Sequence, residues 1–442
     1  MSTAIFLLIL TLILWRPRGL GIGFIAVGGG LLALSTGGAT PETLPAARIV
    51  LGNATLTLAA FTAISWVLEQ TGVCRWVALQ VARQPLGKGR SLLVLMALAT
   101  AMVSAVLTNC GAVLLVMPIA LEILTLLRWN PKATFAFAVA CGFMADWSSL
   151  PFTTSNLVNT IAASYTGISG GRYALVMVPV SGVAIATGVA VLLFYFWRYI
   201  PDTYSRFDWN TSLTALPPGL ASSSSRTVKE GDRVSLPPSV NSSNFSFDPI
   251  SGGLYGSEAL DTLSSYSATD AKRDRFPFDR SVWFQRLNSA PVQAILFSAG
   301  MYATASSLSY AGFTASLSSI FTQLADWGLP LATIGSCLFA TIQAGVMNNL
   351  PATAIEISAI QSAVIPDVGI REGMIDAMVI GCVLGAKISP IGSLSTLLWL
   401  GILERHGFHL NWSRYCRLSL VLTLPIVLVA LLTLTIWLSI LS

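Results

Sequence analysis

Gly142-Phe-Met-Ala-Asp-Trp-Ser-Ser-Leu-Pro-Phe-Thr-Thr-Ser-Asn-Leu157 is the stretch on which the fold turns. It interrupts a strongly apolar sequence with an aspartate, a proline, a cluster of hydroxyls and an asparagine. In lipid, each unsatisfied polar group costs several kcal/mol, so a run this polar at membrane depth must face a cavity or be buried in protein. A helix broken in this way is a common device for building a transport site near the bilayer midplane.

A second run, Gly381-Cys-Val-Leu-Gly-Ala-Lys-Ile-Ser-Pro-Ile-Gly-Ser-Leu-Ser-Thr396, has the same grammar. Pro151 and Pro390, Asn109 and Asn349, Gly72 and Gly312, and Arg172-Tyr173 and Arg414-Tyr415 recur in order at offsets of 239 to 242 residues. Four landmarks at one offset predict an internal repeat. Interrupted hydrophobic segments at matching places in two halves point to a transport site.

Composition agrees. The chain is 54% hydrophobic and 10% charged, against about 25% charged in a soluble domain. Its apolar stretches approach or exceed the roughly 20 residues needed to span lipid. The net charge of +5 is explained by basic loops and calls for no nucleic acid. Six scattered cysteines without CxxC spacing form neither a disulfide framework nor a zinc site. His406 and His409 read as solvated loop residues, so no metal is expected. No HExxH, GxSxG or P-loop pattern occurs, which leaves protease and nucleotide-hydrolase readings unsupported and predicts a non-enzyme without cofactor. The first fifteen residues lack a basic region ahead of their apolar run and read as a retained helix, not a cleaved signal.

The predicted fold is an all-α polytopic membrane protein of two inverted repeats, 1–200 and 285–442, joined by a linker at 201–284. In the first repeat, helices are expected at 4–15, 21–34, 50–68 and 173–199. An interfacial segment is expected at 73–83, a re-entrant hairpin at 91–127 with its tip at Thr108-Asn-Cys-Gly111, and a broken helix at 135–162. The second repeat is expected to hold a helix at 291–309, an amphipathic segment at 314–324 and a hairpin at 331–364 with its tip at Met347-Asn-Asn-Leu350. A broken helix at 374–400 and a last helix at 418–441 complete it, and counterparts of the first two helices are missing. The linker is rich in Ser, Pro, Gly and Asp and reads as disordered. Counting crossings, Arg16, Arg18, Arg75, Arg83, Lys88, Arg90, Arg128, Lys132, Arg198, Arg405, Arg414 and Arg417 fall on one side, and only Arg48, Arg172 and Arg371 on the other. The positive-inside rule makes the first side cytoplasmic, with the linker there and both termini outside.

Four places carry a family resemblance: Thr108-Asn-Cys-Gly-Ala-Val-Leu-Leu-Val-Met-Pro118, Gly142-Phe-Met-Ala-Asp-Trp-Ser-Ser-Leu-Pro151 with Ser155-Asn-Leu-Val-Asn159, Val346-Met-Asn-Asn-Leu-Pro351, and Val379-Ile-Gly-Cys382 with Lys387-Ile-Ser-Pro-Ile-Gly-Ser-Leu-Ser-Thr-Leu-Leu-Trp399. In these the chain resembles the ArsB-type arsenite efflux permeases of the ion transporter superfamily. The resemblance implies a scaffold domain, a mobile transport domain with two hairpins, and export of arsenite and antimonite across the inner (plasma) membrane by proton antiport. Arsenite or antimonite, protons and the lipid bilayer are then the partners, with a soluble arsenite-stimulated ATPase and a homodimer as further candidates. Three features depart from the family pattern. Cys110 stands where the family has an acid, Val383 and Ala386 replace an acid and a proline, and the linker replaces two helices. The first two remove carboxylates that could carry protons.

Arsenous acid is a small neutral triol, so its site needs hydroxyls and amides, which both donate and accept. Asn109, Ser155, Asn156, Asn348, Asn349, Ser393, Ser395 and Thr396 are the candidate ligands; the same residue types also cap broken helix ends. Asp146 and Lys387 occupy comparable places before their prolines and read as a pair, either static or coupling proton to substrate. Cys110 and Cys382 are candidate thiol contacts for thiophilic arsenic, or small buried apolar residues. Glu69, Glu122 and Glu356 are weaker candidates for the coupling role, Glu69 first among them, and are expected instead near helix ends or hydrogen-bonded. The alternatives are a sodium-coupled carboxylate or sodium/proton transporter, against which no cation besides Lys387 could hold a dianion, and a transport-inactive scaffold.

Overall fold

The computed structural model describes residues 2–15, 20–35, 88–127, 129–202 and 290–441, together with scattered positions between 56 and 77. Linker residues 203–284, all of the segment 73–83 but Val77, most of the helix expected at 50–68, and Glu69 lie outside the described residues, as does the place where two helices of the second half are expected to be missing.

Among the described residues every regular element is helical. The first half holds α1 (Ser2–Trp15), α2 (Ile22–Ser35), α3 (Gly89–Val106), α4 (Asn109–Leu126), α5 (Pro131–Trp147), α6 (Leu157–Thr166) and α7 (Gly170–Phe196). The second holds α8 (Ala290–Leu308), α9 (Thr314–Asp326), α10 (Leu329–Met347), α11 (Asn349–Ser362), α12 (Val368–Val383), α13 (Leu394–Arg405) and α14 (Trp412–Leu441). The expected hairpins are α3–α4 and α10–α11, and the expected broken helices are α5–α6 and α12–α13. Helices α3, α4, α7, α10 and α14 are each long and apolar enough to cross a membrane. The 18 residues of α3 and of α4 give each arm about 27 Å, close to the roughly 30 Å of a bilayer core. A full crossing by both arms leaves the same parity of crossings as re-entry.

Both halves belong to one compact unit, Met1–Arg206 with Phe284–Ser442. Within it the packing is reciprocal. Helix α6 lies on α11 and α12, while α13 lies on α4 and α5, so the short helix after each break seats against the other half. The long helices α7 and α14 pack along each other, and Trp437 Nε1 donates to the Leu175 carbonyl at 3.0 Å. Contacts also sort the loops. Arg90 pairs with Asp202 at 2.7 Å, and Phe135 meets Phe408 at 6.1 Å between ring centroids. Elsewhere Arg172 pairs with Glu372 at 2.8 Å, and Gln361 Nε2 donates to the Tyr165 carbonyl at 2.8 Å.

Helix α2 owes its partner to glycine. A Cβ on Gly300 of α8 would stand in the backbone of Ala26 and Val27, and one on Gly30 would approach the Gly300 carbonyl at 2.9 Å. Small residues let helix backbones approach this closely in lipid. Gln293 fixes the start of the crossing by accepting from Gly23 N at 2.9 Å. Gly300→Val is therefore expected to push α2 off α8. Overpacking of this kind costs typically 1–3 kcal/mol, about, and here the obstacle is rigid backbone. Thermal unfolding of detergent-purified protein measures the loss. Gly28→Ala, whose Cβ meets nothing within 4 Å, is the control and is expected to be neutral or mildly stabilising.

Candidate functional site

The first break is built so that its exposed backbone is answered by its own side chains. Helix α5 ends at Trp147, and Pro151 lies too close ahead for the helix to resume at once. The Ser148 hydroxyl bonds back to the Met144 carbonyl, and Ser149 Oγ donates to the Asp146 carbonyl at 2.8 Å. Asn159 Nδ2 donates to the Ser149 and Phe152 carbonyls at 2.8 and 2.9 Å. Asn156 caps α6 by accepting from Val158 N at 3.0 Å, and Ser155 Oγ donates to the Phe152 carbonyl at 2.7 Å.

The second break runs through a 3-10 turn, Gly385–Ile388, to the start of α13. Its freed carbonyls are taken from further along the chain and from the hairpin. Tyr415 Oη donates to the Lys387 carbonyl at 2.8 Å, and the Ser419 hydroxyl donates to the same oxygen. Asn349 N donates to the Gly392 carbonyl at 2.8 Å, and Asn348 Nδ2 to that of Ile391 at 3.1 Å. The first half repeats the backbone bond, since Asn109 N donates to the Ser155 carbonyl at 3.3 Å. Each hairpin tip is thus tied to the break of its own half.

Between the breaks lies one carboxylate. Asp146 is 1% exposed. Its Oδ1 accepts from Asn109 Nδ2 at 2.8 Å, from Ser393 Oγ at 3.3 Å and from the Ser395 hydroxyl. Its Oδ2 accepts from Lys387 Nζ at 2.6 Å and Thr396 Oγ1 at 3.4 Å. Lys387 is fully buried, donates also to the Gly142 carbonyl at 2.9 Å, and lies 4.9 Å from the Phe143 ring centroid and 5.3 Å from that of Trp399. Gly142 admits this arrangement because the Trp399 indole occupies the place of its missing Cβ, from where Nε1 reaches the Ala138 carbonyl at 2.9 Å. The helix N-termini at Asn109 and Leu394 both bring donors to the acid, which is where a helix dipole favours negative charge.

Six of the expected residues therefore converge: Asn109, Asp146, Lys387, Ser393, Ser395 and Thr396. Ser155 and Asn156 stand aside, knitting the first break. Asn348 and Asn349 form the second tip, beside the Ile391-Gly392 link. Asn348 holds φ 80° and ψ 149°, the one non-glycine residue with positive φ among those described. That region of backbone space costs of the order of 1–3 kcal/mol, and the Asn348 amide holds the conformation by accepting from Leu350 N at 3.3 Å while donating to Ile391. Asn349 is 4% exposed and its side-chain amide has no hydrogen bond. Cys110 lies within the field of Asp146 and Lys387. Cys382 lies instead in the field of Glu356 and Cys337. No group of three metal-ligating side chains occurs among the described residues.

Glu356 corrects an expectation. It is neither near a helix end nor hydrogen-bonded: it sits in the middle of α11, fully buried, with both carboxyl oxygens unpartnered. Sequence reasoning also missed the support of Lys387 by Tyr415 and Ser419. The only signal was the recurrence of Arg-Tyr at 172–173 and 414–415.

The profile of the family described as "ArsB: Arsenical pump membrane protein" matches residues 1–216 and 281–438. The chain belongs to this family. It is 37% identical over 439 residues to the arsenical pump membrane protein of Escherichia coli (strain K12), covering 99% of both chains. It is 37% identical over 440 residues to that of Yersinia enterocolitica, covering 100% of this chain and 99% of the other. An uncharacterised transporter of Mycobacterium tuberculosis is 24% identical over 377 residues, 84% of this chain and 82% of its own. With its apolar helices, this membership makes it a multi-pass membrane transporter.

The buried pair can be tested directly. Lys387→Met strands Asp146 without its counter-charge, and breaking a buried pair costs about 3–5 kcal/mol. The expected outcome is a marked fall in the unfolding temperature of the detergent-purified protein. Asp146→Asn combined with Lys387→Met removes both charges and is expected to recover most of the loss. Equal losses in the single and double variants would show that the two charges are not coupled.

Proposed function

We propose that this protein exports arsenite, and antimonite with it, across the plasma membrane in exchange for protons. The observation that carries the reading is the junction of Asn109, Ser393, Ser395 and Thr396 around one neutralised charge pair, with the unpartnered Asn349 amide at the second hairpin tip. Hydroxyls and amides both donate and accept, as a neutral trihydroxide of arsenic or antimony requires. A dianionic carboxylate is a poor fit. Lys387 is engaged by Asp146, while Arg90 and Arg172 are paired with Asp202 and Glu372. The names of the arsenical pump relatives point the same way.

In this reading residues 1–200 and 285–442 are inverted repeats. The loop contacts support it, because the open end of the first hairpin lies with the start of α5 and the end of α7. The open end of the second lies with the start of α12 and the beginning of α7. Asp146 and Lys387, one from each repeat, are the pair whose separation admits substrate and whose closure follows its release. Cys110, next to the pair, is the thiol positioned to touch arsenic. The linker and the basic loops face the cytoplasm, so Asn241-Ser-Ser243 and Asn244-Phe-Ser246 are expected to stay unglycosylated in a eukaryotic host. Glycan at either site, seen as a mobility shift removed by a glycosidase, would reverse the orientation.

Expression in an arsenite-sensitive host is expected to raise arsenite resistance and lower cellular arsenic. Asn349→Ala is expected to reduce transport several-fold at unchanged membrane abundance, because a lost hydrogen bond is worth about 0.5–1.5 kcal/mol. Unchanged arsenic accumulation, with the protein present in the membrane, would sink the transport reading in favour of an inactive scaffold.

A further inference from the structure

Helix α11 carries a polar stripe that the site does not absorb. Asn349, Thr353 and Glu356 follow at i, i+4 and i+7, so they share one face. Asn349 begins the helix at the hairpin tip, and Glu356 lies seven residues in, about 10 Å along the axis. Thr353 Oγ1 turns back to the Asn349 carbonyl at 2.6 Å and offers the acid nothing. Both Glu356 carboxyl oxygens are buried without a partner. Helices α6, α8, α9, α10 and α12 pack against α11. Among the described residues none of them brings a charged side chain to Glu356; the titratable groups within whose field it lies are the thiols of Cys337 on α10 and Cys382 on α12. Asp146 is the opposite case, an acid filled by five donors.

A carboxylate buried without a donor or counter-charge pays a desolvation penalty of several kcal/mol, which the neutral acid avoids. The packed arrangement of α10, α11 and α12 accordingly suits a Glu356 that holds its proton. We propose that Glu356 is the proton-binding site of the exchange, loaded in the packed arrangement described here. This rests on the proton-antiport reading above and names its proton-carrying group. Release of one proton from the carboxyl leaves a carboxylate that the packed interface does not solvate, so α11 must shift to bring it water or donors. That shift acts on the site, because the same helix begins at Asn349, whose N–H holds the Gly392 carbonyl, and follows the strained Asn348 seated on Ile391. Proton loss at Glu356 thereby frees the second hairpin tip to take substrate, and substrate departure with reprotonation restores the packing. The two ligands exclude one another, as exchange requires.

The test is radiolabelled arsenite uptake into everted membrane vesicles, with and without an imposed pH difference. Wild type is expected to accumulate arsenite only with the gradient. Glu356→Gln, a neutral mimic of the acid, is expected to lose gradient-driven accumulation while the protein remains in the membrane. Glu356→Asp keeps a carboxyl and is expected to retain gradient-driven accumulation with a displaced pH profile, a result that a merely structural role for the side chain does not produce. Should Glu356→Gln be absent from the membrane, the Glu356→Asp profile decides alone, and an unaltered profile overturns the proposal. Gradient-driven accumulation by Glu356→Gln at the wild-type level also overturns it, while leaving proton antiport intact. Loss of gradient dependence in wild type itself removes the antiport reading and this inference together.

Discussion

A charge at membrane depth has to be answered by another charge, and the contact between Asp146 and Lys387 at 2.6 Å is where this protein answers it. The acid belongs to the first half of the chain and the base to the second, so the neutralisation also joins the halves. Everything around the pair serves to hold its two ends in place. Gly142 thins α5 so that its carbonyl and the face of Trp399 can reach the ammonium. Tyr415 and Ser419 grip the backbone of Lys387 from α14. Two serines and a threonine from the start of α13, with Asn109 from the start of α4, complete the acid's shell. Removing one charge is expected to cost far more than removing both, because the expense lies in the uncompensated partner and not in the absent attraction.

The same rule governs the backbone. Each break frees carbonyl and N–H groups that lipid cannot satisfy. In the first break the local side chains Ser148, Ser149 and Asn159 meet the need. In the second the need is met from a distance, by α14 and by the α11 tip. The two halves are alike in plan and unlike in this respect. The second tip, with its strained Asn348 and unpartnered Asn349, is the less completely bonded of the two.

Much of this plan was legible in the chain. Proline, hydroxyls and charge inside an apolar run mark a break whatever the fold, and Thr108-Asn109 and Asn348-Asn349 divide runs too long for one helix. Matching places before Pro151 and Pro390 were enough to pair Asp146 with Lys387. What could not be read was which polar residues serve the backbone and which the site. Ser155 and Asn156 have the same chemistry as Ser393 and Ser395, and only the packing of α13 on α4 and α5 directs the latter pair onto the acid. Glu356 shows the limit from the other side. The sequence placed it near a helix end or hydrogen-bonded, and whether a donor stands opposite depends on α10 and α12. The partner of the glycine-rich α2, α8 some 270 residues away, was not legible either.

The order in which the site's parts are made has a consequence for biogenesis. Asn109 is the sole donor to Asp146 that precedes it or follows within its own half; the other four, Lys387, Ser393, Ser395 and Thr396, come from the last quarter of the chain. While the ribosome is still adding the intervening residues, a carboxyl group has already been committed to the bilayer without its counter-ion. Domains generally fold as units as they are synthesised, but here the first half cannot complete its own centre. The nascent protein must wait, with its acid unanswered, for a lysine that arrives more than two hundred residues later.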